Sequence, residues 1–597
     1  MPLDSLPVSS EPLLGVTQSI TGRSWWQRSV CRRTSDLAVQ RYGIDALLAD
    51  ILVARGVDVD QIEAYLQPSL RQSLPDPSTL MEMDAAAERL ADAVTGGETI
   101  GIFGDYDVDG TAAAALLFRY LRAVGASAVV HLPDRFTEGY GPSQAGVQSL
   151  EERGASVIVT VDCGSNHGAV LEPSGADVIV LDHHLMDQRP DVFALVNPQR
   201  PGDQSGLHGL SAGGVTFMAL VALGRLLRNR GWFAEREEPK LIQQLDLVAL
   251  SLIADVMPIE GLTRTLIAQG LKVLGDVENG SHGNPGLRAL AQVSGIKGAA
   301  NAGHLGFQIG PRINAAGRIG HARTAFDLLT TDDPAQAAAI AQKLEALNKE
   351  RRRLEDQVRR EAIAQVDSQP GESRNVIVAA GEGWHPGVVG IVAGRLKERY
   401  NRPAFCISLS QGAGTGSGRS VPGVDLGAAV SAAASAGIIS KGGGHAMAAG
   451  LSLTEDQLAP FTEFLSCRLD RAVSAATEEH PLVIDAVVGL GGVHGQTCRS
   501  ISPAGPFGQG NPEPRFVLEN VRLRHSRVVG EKHLSLTIED DMGRSVRGIA
   551  FGVVGEPLGA ALEHAHGERF HFAGRITPDT WRGGDAAQFE LEDAAPA

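Results

Sequence analysis

Three short acidic segments carry the residue types that bind hard divalent cations. The loop Asp105-Tyr-Asp-Val-Asp-Gly110 has carboxylates at alternate positions, Asp162 ends an apolar run, and Asp182-His183-His184 sets a carboxylate beside two imidazoles. Two hard ions need carboxylates and imidazoles converging from several loops, with positions left open for water and phosphate. In an extended loop Asp107 and Asp109 project to one side and reach one metal pair, while Gly104 and Gly110 allow tight turns. Asp162 is a bridging candidate. Asp255, closing the apolar run Leu250-Ser-Leu-Ile-Ala-Asp255, is the natural sixth ligand. A calcium EF-hand is excluded, because the twelfth position counted from Asp105 is Leu116 and not Glu. Taken alone, Asp-His-His is more often a capping or surface cluster than a ligand set.

The elements that must position these groups argue for the metal reading. Thr99–Phe103, Ala128–Leu132, Val157–Val161 and Asp177–Leu181 are apolar runs of strand length, and the Ala/Leu-rich segment Thr111–Val124 reads as a helix. Buried strands alternating with helices predict a doubly wound parallel α/β sheet. Such sheets bind ligands beyond the carboxyl ends of their strands. The Asp105 loop, Asp162 and Asp182-His183-His184 all fall at such ends.

The remaining composition bounds the class. A chain of 597 residues exceeds one ordinary core, so three or four domains are expected. Hydrophobic content of 43% with 21% charged residues fits a globular protein, and no apolar run reaches membrane-spanning length. The first 30 residues show no apolar signal-peptide core. Five scattered cysteines, Cys31, Cys163, Cys406, Cys467 and Cys498, have no CxxC spacing. That excludes a zinc ribbon and a disulfide framework, and a reducing, cytoplasmic location is expected. The net charge of −17 argues against non-specific duplex binding but does not decide what one cleft holds.

Residues 1–70 carry Trp25, Trp26 and a basic cluster at Arg23, Arg28, Arg32 and Arg33, and read as an arm packing on the first domain. From Pro334 to Val366 runs a helical stretch without internal Gly or Pro. A second α/β unit opens with the strand Asn375–Ala379 and contains glycine-rich loops at Gly412–Gly418 and Gly442–Gly444. After Pro481 come short alternating strands such as His533–Ile538, the pattern of a small β-barrel.

The segments Gly104-Asp-Tyr-Asp-Val-Asp-Gly110, Val161-Asp-Cys-Gly164 and Asp182-His-His184 resemble the DHH phosphoesterase superfamily. Further motifs make the chain similar to the RecJ family within it along nearly the whole length. They are Pro133-Asp-Arg-Phe-Thr-Glu-Gly-Tyr-Gly141, Gly310-Pro-Arg-Ile-Asn-Ala-Ala-Gly-Arg318, Glu382-Gly-Trp-His-Pro-Gly-Val-Val-Gly390, Gly416-Ser-Gly-Arg-Ser420, Gly442-Gly-Gly-His-Ala-Met-Ala-Ala-Gly450 and Gly508-Gln-Gly-Asn-Pro-Glu-Pro514. The resemblance implies a parallel-sheet DHH catalytic domain (71–333) after the arm (1–70), a connecting helix (334–369), a smaller α/β substrate-binding domain (370–478) and an OB-fold-like barrel (479–597). It implies a 5′-to-3′ exonuclease that releases 5′-mononucleotides from single-stranded DNA in recombination and repair. Two manganese or magnesium ions would activate water and polarise the phosphate. Asp107, Asp109, Asp162, His183, His184 and Asp255 match the metal-site positions, with Asp105 adjacent. Arg312, Asn314, Ser417, Arg419, Gly443, Gly444 and His445 suit phosphate handling, and Tyr140 suits stacking on a base. A single-strand-binding protein and a helicase are the expected partners, with no membrane, and a monomer is expected.

Two segments depart from the usual family wording. Leu210-Ser-Ala-Gly-Gly-Val-Thr-Phe217 moves one glycine, and Ser165-Asn-His-Gly168 follows Asp162-Cys-Gly in place of the common form. Smaller relatives that cleave oligoribonucleotides, cyclic dinucleotides or pyrophosphate lack the long helix and the barrel. A metal-free replication scaffold would have lost ligands that are all filled here, and a plain single-strand binder would have no use for buried acids.

Overall fold

The apolar runs that read as strands pair in parallel, as predicted. The structure, a computed structural model, describes residues 7–186, 188–277, 283–368, 375–476, 481–579, 582 and 585–597. The short N-terminal strand is β1 (Trp25–Gln27). The first large sheet contains β2 (Thr99–Gly104), β3 (Ser127–His131), β4 (Ala155–Val161), β5 (Asp177–Leu181) and β6 (Ala194–Val196) in the order β3-β2-β4-β5-β6. β4 and β6 lie almost wholly out of solvent, as strands covered on both faces must. The order reverses at β2, so the crevice between the carboxyl ends of β2 and β4 is the switch point where open sheets bind ligands.

The chain divides into two compact units, 1–310 with 326–338 and 481–597, and 311–325 with 339–480. The long helix spans Pro334–Ser368. Arg353–Glu350 at 2.7 Å and Arg359–Asp356 at 2.9 Å lace its surface one turn apart.

In the second unit β7 (Ile377–Glu382), β8 (Ala404–Ser410), β9 (Ala413–Arg419), β10 (Lys441–His445) and β11 (Ala448–Thr454) form a sheet ordered β10-β11-β9-β8-β7. The two glycine-rich segments expected to be loops are therefore strands. The reason is steric. A Cβ at Gly414, Gly416 or Gly418 would lie 2.9, 2.8 or 2.4 Å from Leu453, Ile407 or Phe405, so these alternate glycines make room for large core side chains.

The C-terminal strands are β12 (Leu482–Ile484), β13 (Ala486–Val488), β14 (Phe516–Val529), β15 (His533–Glu539), β16 (Ser545–Ala550), β17 (Arg569–Pro578) and β18 (Ala587–Pro596). β14 pairs with both β15 and β17, while β16 pairs in parallel with β18, and this closes a five-stranded barrel. The N-terminal arm does touch the first domain, where Gln269 Nε2 donates to the Pro68 carbonyl at 2.5 Å. Its apolar face goes elsewhere: Leu48, Ile51, Leu52 and Ile62 are buried in one cluster with Phe516, Leu536 and Phe572 of the barrel. Trp25 donates Nε1–H to Asp593 of β18 at 3.0 Å, and β1 pairs with β12.

Candidate metal centre and nucleic-acid surfaces

The acidic loop after β2 is not extended. Asp107 caps the helix Val108–Ala123, its side chain accepting from Gly110 N at 3.2 Å, and Asp109 lies in the first helical turn. Gly110 is required by contact: a Cβ there would sit 2.6 Å from both N and O of Asp105. The helix start thus folds the loop back on itself and turns Asp109 inward, to 1% exposure. Asp162 follows β4 with a left-handed φ of 63°, which Asp tolerates better than most residues. Asp255 caps the carboxyl end of the helix Leu245–Ala254.

These groups meet at one imidazole. His183 Nε2 lies 3.2 Å from Asp162, 3.4 Å from Asp255 and 3.5 Å from Asp109. Three sets, Asp162/His183/His184, Asp109/His183/Asp255 and Asp105/Asp107/Asp162, each place their ligand atoms within 4.8 Å of one another. Burial and the neighbouring Asp109 push the Asp162 carboxyl well above the usual carboxylate range. Burial and the same neighbour raise Asp255 to about 8, and burial with Asp107 raises Asp105. Asp105 Oδ1 is buried with no hydrogen-bond partner among the described residues. So many buried carboxylates repel one another unless cations are present, and a donor set of carboxylates with imidazoles fits hard divalent ions. The residues present therefore fit the metal reading.

Asp182, the first residue of Asp-His-His, faces inward to the protein. It accepts from Ser165 N at 3.0 Å, His183 N at 2.8 Å and His184 Nδ1 at 2.8 Å. Burial alone would lower the His184 imidazole, but the hydrogen bond to Asp182 and the charges of Asp182, Asp255 and Asp109 together outweigh it and raise the group to about 9. Asn197 completes the support, donating to Ser165 Oγ at 2.9 Å and to the His184 carbonyl at 2.8 Å. Asn197 carried no signal in the sequence. Tyr140 belongs to the cluster, since its hydroxyl donates to the Asp162 carbonyl at 3.1 Å and lies 3.2 Å from the His184 ring. Arg135, also missed, stacks over the Tyr106 ring at 5.1 Å, with no carboxylate partner among the described residues.

The second unit gathers most of the other candidates on one sheet face. Arg419 and His445 both pair in register with Ala448, while Ser417 and Gly443 both pair with Gly450. Directly opposed residues share a face, and positions two apart return to it. Ser417, Arg419 and His445 therefore project together from a floor of Gly443, Ala448 and Gly450, with nothing within 4 Å of a Cβ at Gly450. Gly444 sits at φ 150° at the hairpin, where a Cβ would meet Ala448 O at 2.3 Å. Arg419 donates to Ser417 Oγ at 2.9 Å. Arg312 and Asn314 lie apart from that face, in the helix Gly310–Ile319, and the Arg312 guanidinium is buried against Glu345 at 2.6 Å.

On the barrel, β14, β15 and β16 line a cavity of about 910 Å³. Its polar lining includes His525, Arg527, His533, Arg547 and Arg582, and its aromatic group is Phe551, 54% exposed and edge-on to His533 at 5.3 Å. Arg547 and Arg582 share the buried Asp579 carboxylate, whereas Arg527 has no acidic partner among the described residues.

Comparisons with known proteins agree with this layout. Residues 99–252 match the DHH family, N-terminal domain, residues 373–469 the DHHA1 domain and residues 484–593 the RecJ OB domain. The single-stranded-DNA-specific exonuclease RecJ of Dickeya dadantii is 38% identical over 526 residues, covering 85% of this chain and 90% of that protein. Among solved structures, RecJ of Thermus thermophilus in complex with Mn2+ superposes with a TM-score of 0.77 at 29% identity, over 96% of this chain and 79% of that one. The same protein in complex with Mg2+ gives 0.73 at 27% identity, over 96% and 78%. With 38% identity across most of both sequences, and the three domain matches following one another along it, the chain belongs to the RecJ family.

Proposed function

We propose that the chain is a manganese- or magnesium-dependent exonuclease that removes 5′-mononucleotides from single-stranded DNA in the 5′-to-3′ direction, in recombination and repair. The observation that carries the reading is the convergence of Asp109, Asp162 and Asp255 within 3.5 Å of His183 Nε2. Asp107, Asp109, Asp162, His183, His184 and Asp255 would hold two ions, with Asp105 behind them. Such ions, when bound, supply Lewis-acid polarisation of the phosphate and acidify a water molecule.

The chain's own groups do the rest. Asp182 fixes the orientation of the His184 ring, and the Tyr140 hydroxyl lies against the same ring. Ser417, Arg419 and His445, over the open floor of Gly443, offer charge-assisted bonds to a backbone phosphate, and Gly444 holds the hairpin that presents them. Arg135 offers a cation beside the acidic loop. Arg312 and Asn314 support the strand from their helix. In the barrel, Phe551 provides a stacking surface and Arg527, Arg547 and Arg582 follow the backbone.

We take the working parts to be the arm (1–70), catalytic domain (71–333), connecting helix (334–369), substrate-binding domain (370–478) and barrel (479–597). A monomer in the cytoplasm, working with a single-strand-binding protein and a helicase, completes the reading. No helix among the described residues is long and apolar enough to cross a membrane. The test is digestion of 5′- and 3′-labelled oligonucleotides by purified protein, with manganese, with chelator, and with Asp162→Ala. Metal-dependent release of mononucleotides from the 5′ end, abolished in the variant, is expected. Equal digestion of duplex refutes the specificity, and an active Asp162→Ala protein refutes the site.

A further inference from the structure

The departure Leu210-Ser-Ala-Gly-Gly has a structural counterpart at the metal centre. The first turn of the helix Ala212–Asn229 points its free amides at Asp109: Ala212 N donates to Oδ2 at 2.8 Å and Gly213 N to Oδ1 at 3.0 Å. A helix N-terminus is a natural seat for a carboxylate. A third donor comes from a different helix, since Ser251 Oγ hydrogen-bonds Asp109 Oδ1. Ser211 Oγ lies 2.5 Å from Ser251 Oγ. A carboxylate only accepts, so the single Ser251 proton goes to Asp109 and Ser211 must donate to Ser251. All three side chains are buried, at 1% exposure or less.

The displaced glycine makes this possible. A Cβ at residue 213 would stand 2.3 Å from Ser251 Oγ and 2.6 Å from its Cβ, so only glycine there leaves space for the serine. Gly213 and Ser251 are complementary, and the hydroxyl fills the place of the missing side chain. The carboxylate it reaches is the one whose Oδ2 lies 3.5 Å from His183 Nε2.

We infer that Ser251, backed by Ser211 and accommodated by Gly213, is a positioning residue that sets the orientation of Asp109 and with it the affinity of the centre for its divalent ion. The inference rests on the proposed metal site. Fixing a ligand carboxylate through the groups that hydrogen-bond it typically changes metal affinity by about 10- to 100-fold.

The test is calorimetric titration of Mn2+ into the full, metal-free chain without DNA, comparing wild type, Ser251→Ala and Ser211→Ala. Ser251→Ala is expected to weaken manganese binding by roughly tenfold or more, and Ser211→Ala to weaken it less in the same direction. The metal-free Tm is read separately, because a purely packing role would lower it and leave the affinity alone. Affinity within about twofold of wild type in Ser251→Ala overturns the inference, whatever its Tm. Should that variant fail to fold, Ser211→Ala decides by the same criterion. A wild-type chain that takes up no manganese overturns the metal site itself, and the inference with it.

Discussion

Replacing Phe551 with alanine separates the barrel's contribution to substrate binding from its contribution to the fold. The ring is 54% exposed and sits at the lip of the cavity lined by β14, β15 and β16, so its loss opens no hole in the core. Stacking of a base on an aromatic side chain contributes about 1–3 kcal/mol, and a central value near 2 kcal/mol corresponds to about 30-fold in Kd. Fluorescence anisotropy with a labelled thymidine oligonucleotide, in excess chelator to prevent hydrolysis, measures this at one fixed salt concentration. Phe551→Ala is expected to weaken binding about 30-fold, while far-UV circular dichroism and Tm stay at wild-type values. The electrostatic half of the groove is read in the same assay. Arg527→Ala should reduce the slope of log Kd against log salt by about 0.7, the value for one phosphate contact on a single strand. A Phe551→Ala protein that binds as tightly as wild type would refute the assignment of this face.

Gly110→Ala forces a methyl group against the backbone of Asp105, which cannot move aside without displacing Asp107; manganese binding should weaken at least tenfold and exonuclease rate fall on the order of 100-fold, read by calorimetry and product release. Asp593→Ala strips a fully buried carboxylate from Ser19, Thr21 and Trp25, and should cost about 1–3 kcal/mol, seen as a lower urea midpoint and faster proteolysis of the arm. Asp246 is 1% exposed, and burial raises it to about 6 although both oxygens accept backbone amides. A raised carboxyl favours the folded state below the unfolded pKa near 4, and this advantage is lost as pH rises through 6. The stability difference between wild type and Asp246→Asn should therefore shift by about 3 kcal/mol in favour of Asn across that window in urea titrations, and a flat difference would refute it.

Much of the fold was legible because buried parallel strands leave a plain mark: β5 spans the predicted Asp177–Leu181, and the switch-point position of the acids follows from where those runs end. Glycine misled in β9 and β10. A glycine that turns the chain and one that yields space to Phe405 look alike in one dimension, and only the neighbouring strand distinguishes them. The arm misled as well, since its helices carry apolar faces without saying which core they join.

The metal centre divides along the same line. By itself the sequence determined the chemistry available: carboxylates and imidazoles at strand ends, in segments whose glycines permit a tight turn. Their types and spacing suffice for that, because ligand chemistry is a property of single side chains and strand ends are a local signal. Only the tertiary structure decided which of these groups share a site and which support them. It set Asp182 to hold the His184 ring, brought Asn197 against the His184 carbonyl, and set Gly213 opposite Ser251 so that a hydroxyl from one helix reaches a carboxylate on another. Asp182 and His184 are neighbours in sequence, but the other pairings join residues 13 to 142 positions apart. Nothing local encodes them, because they exist only where packed helices and sheet ends leave one cavity to be filled.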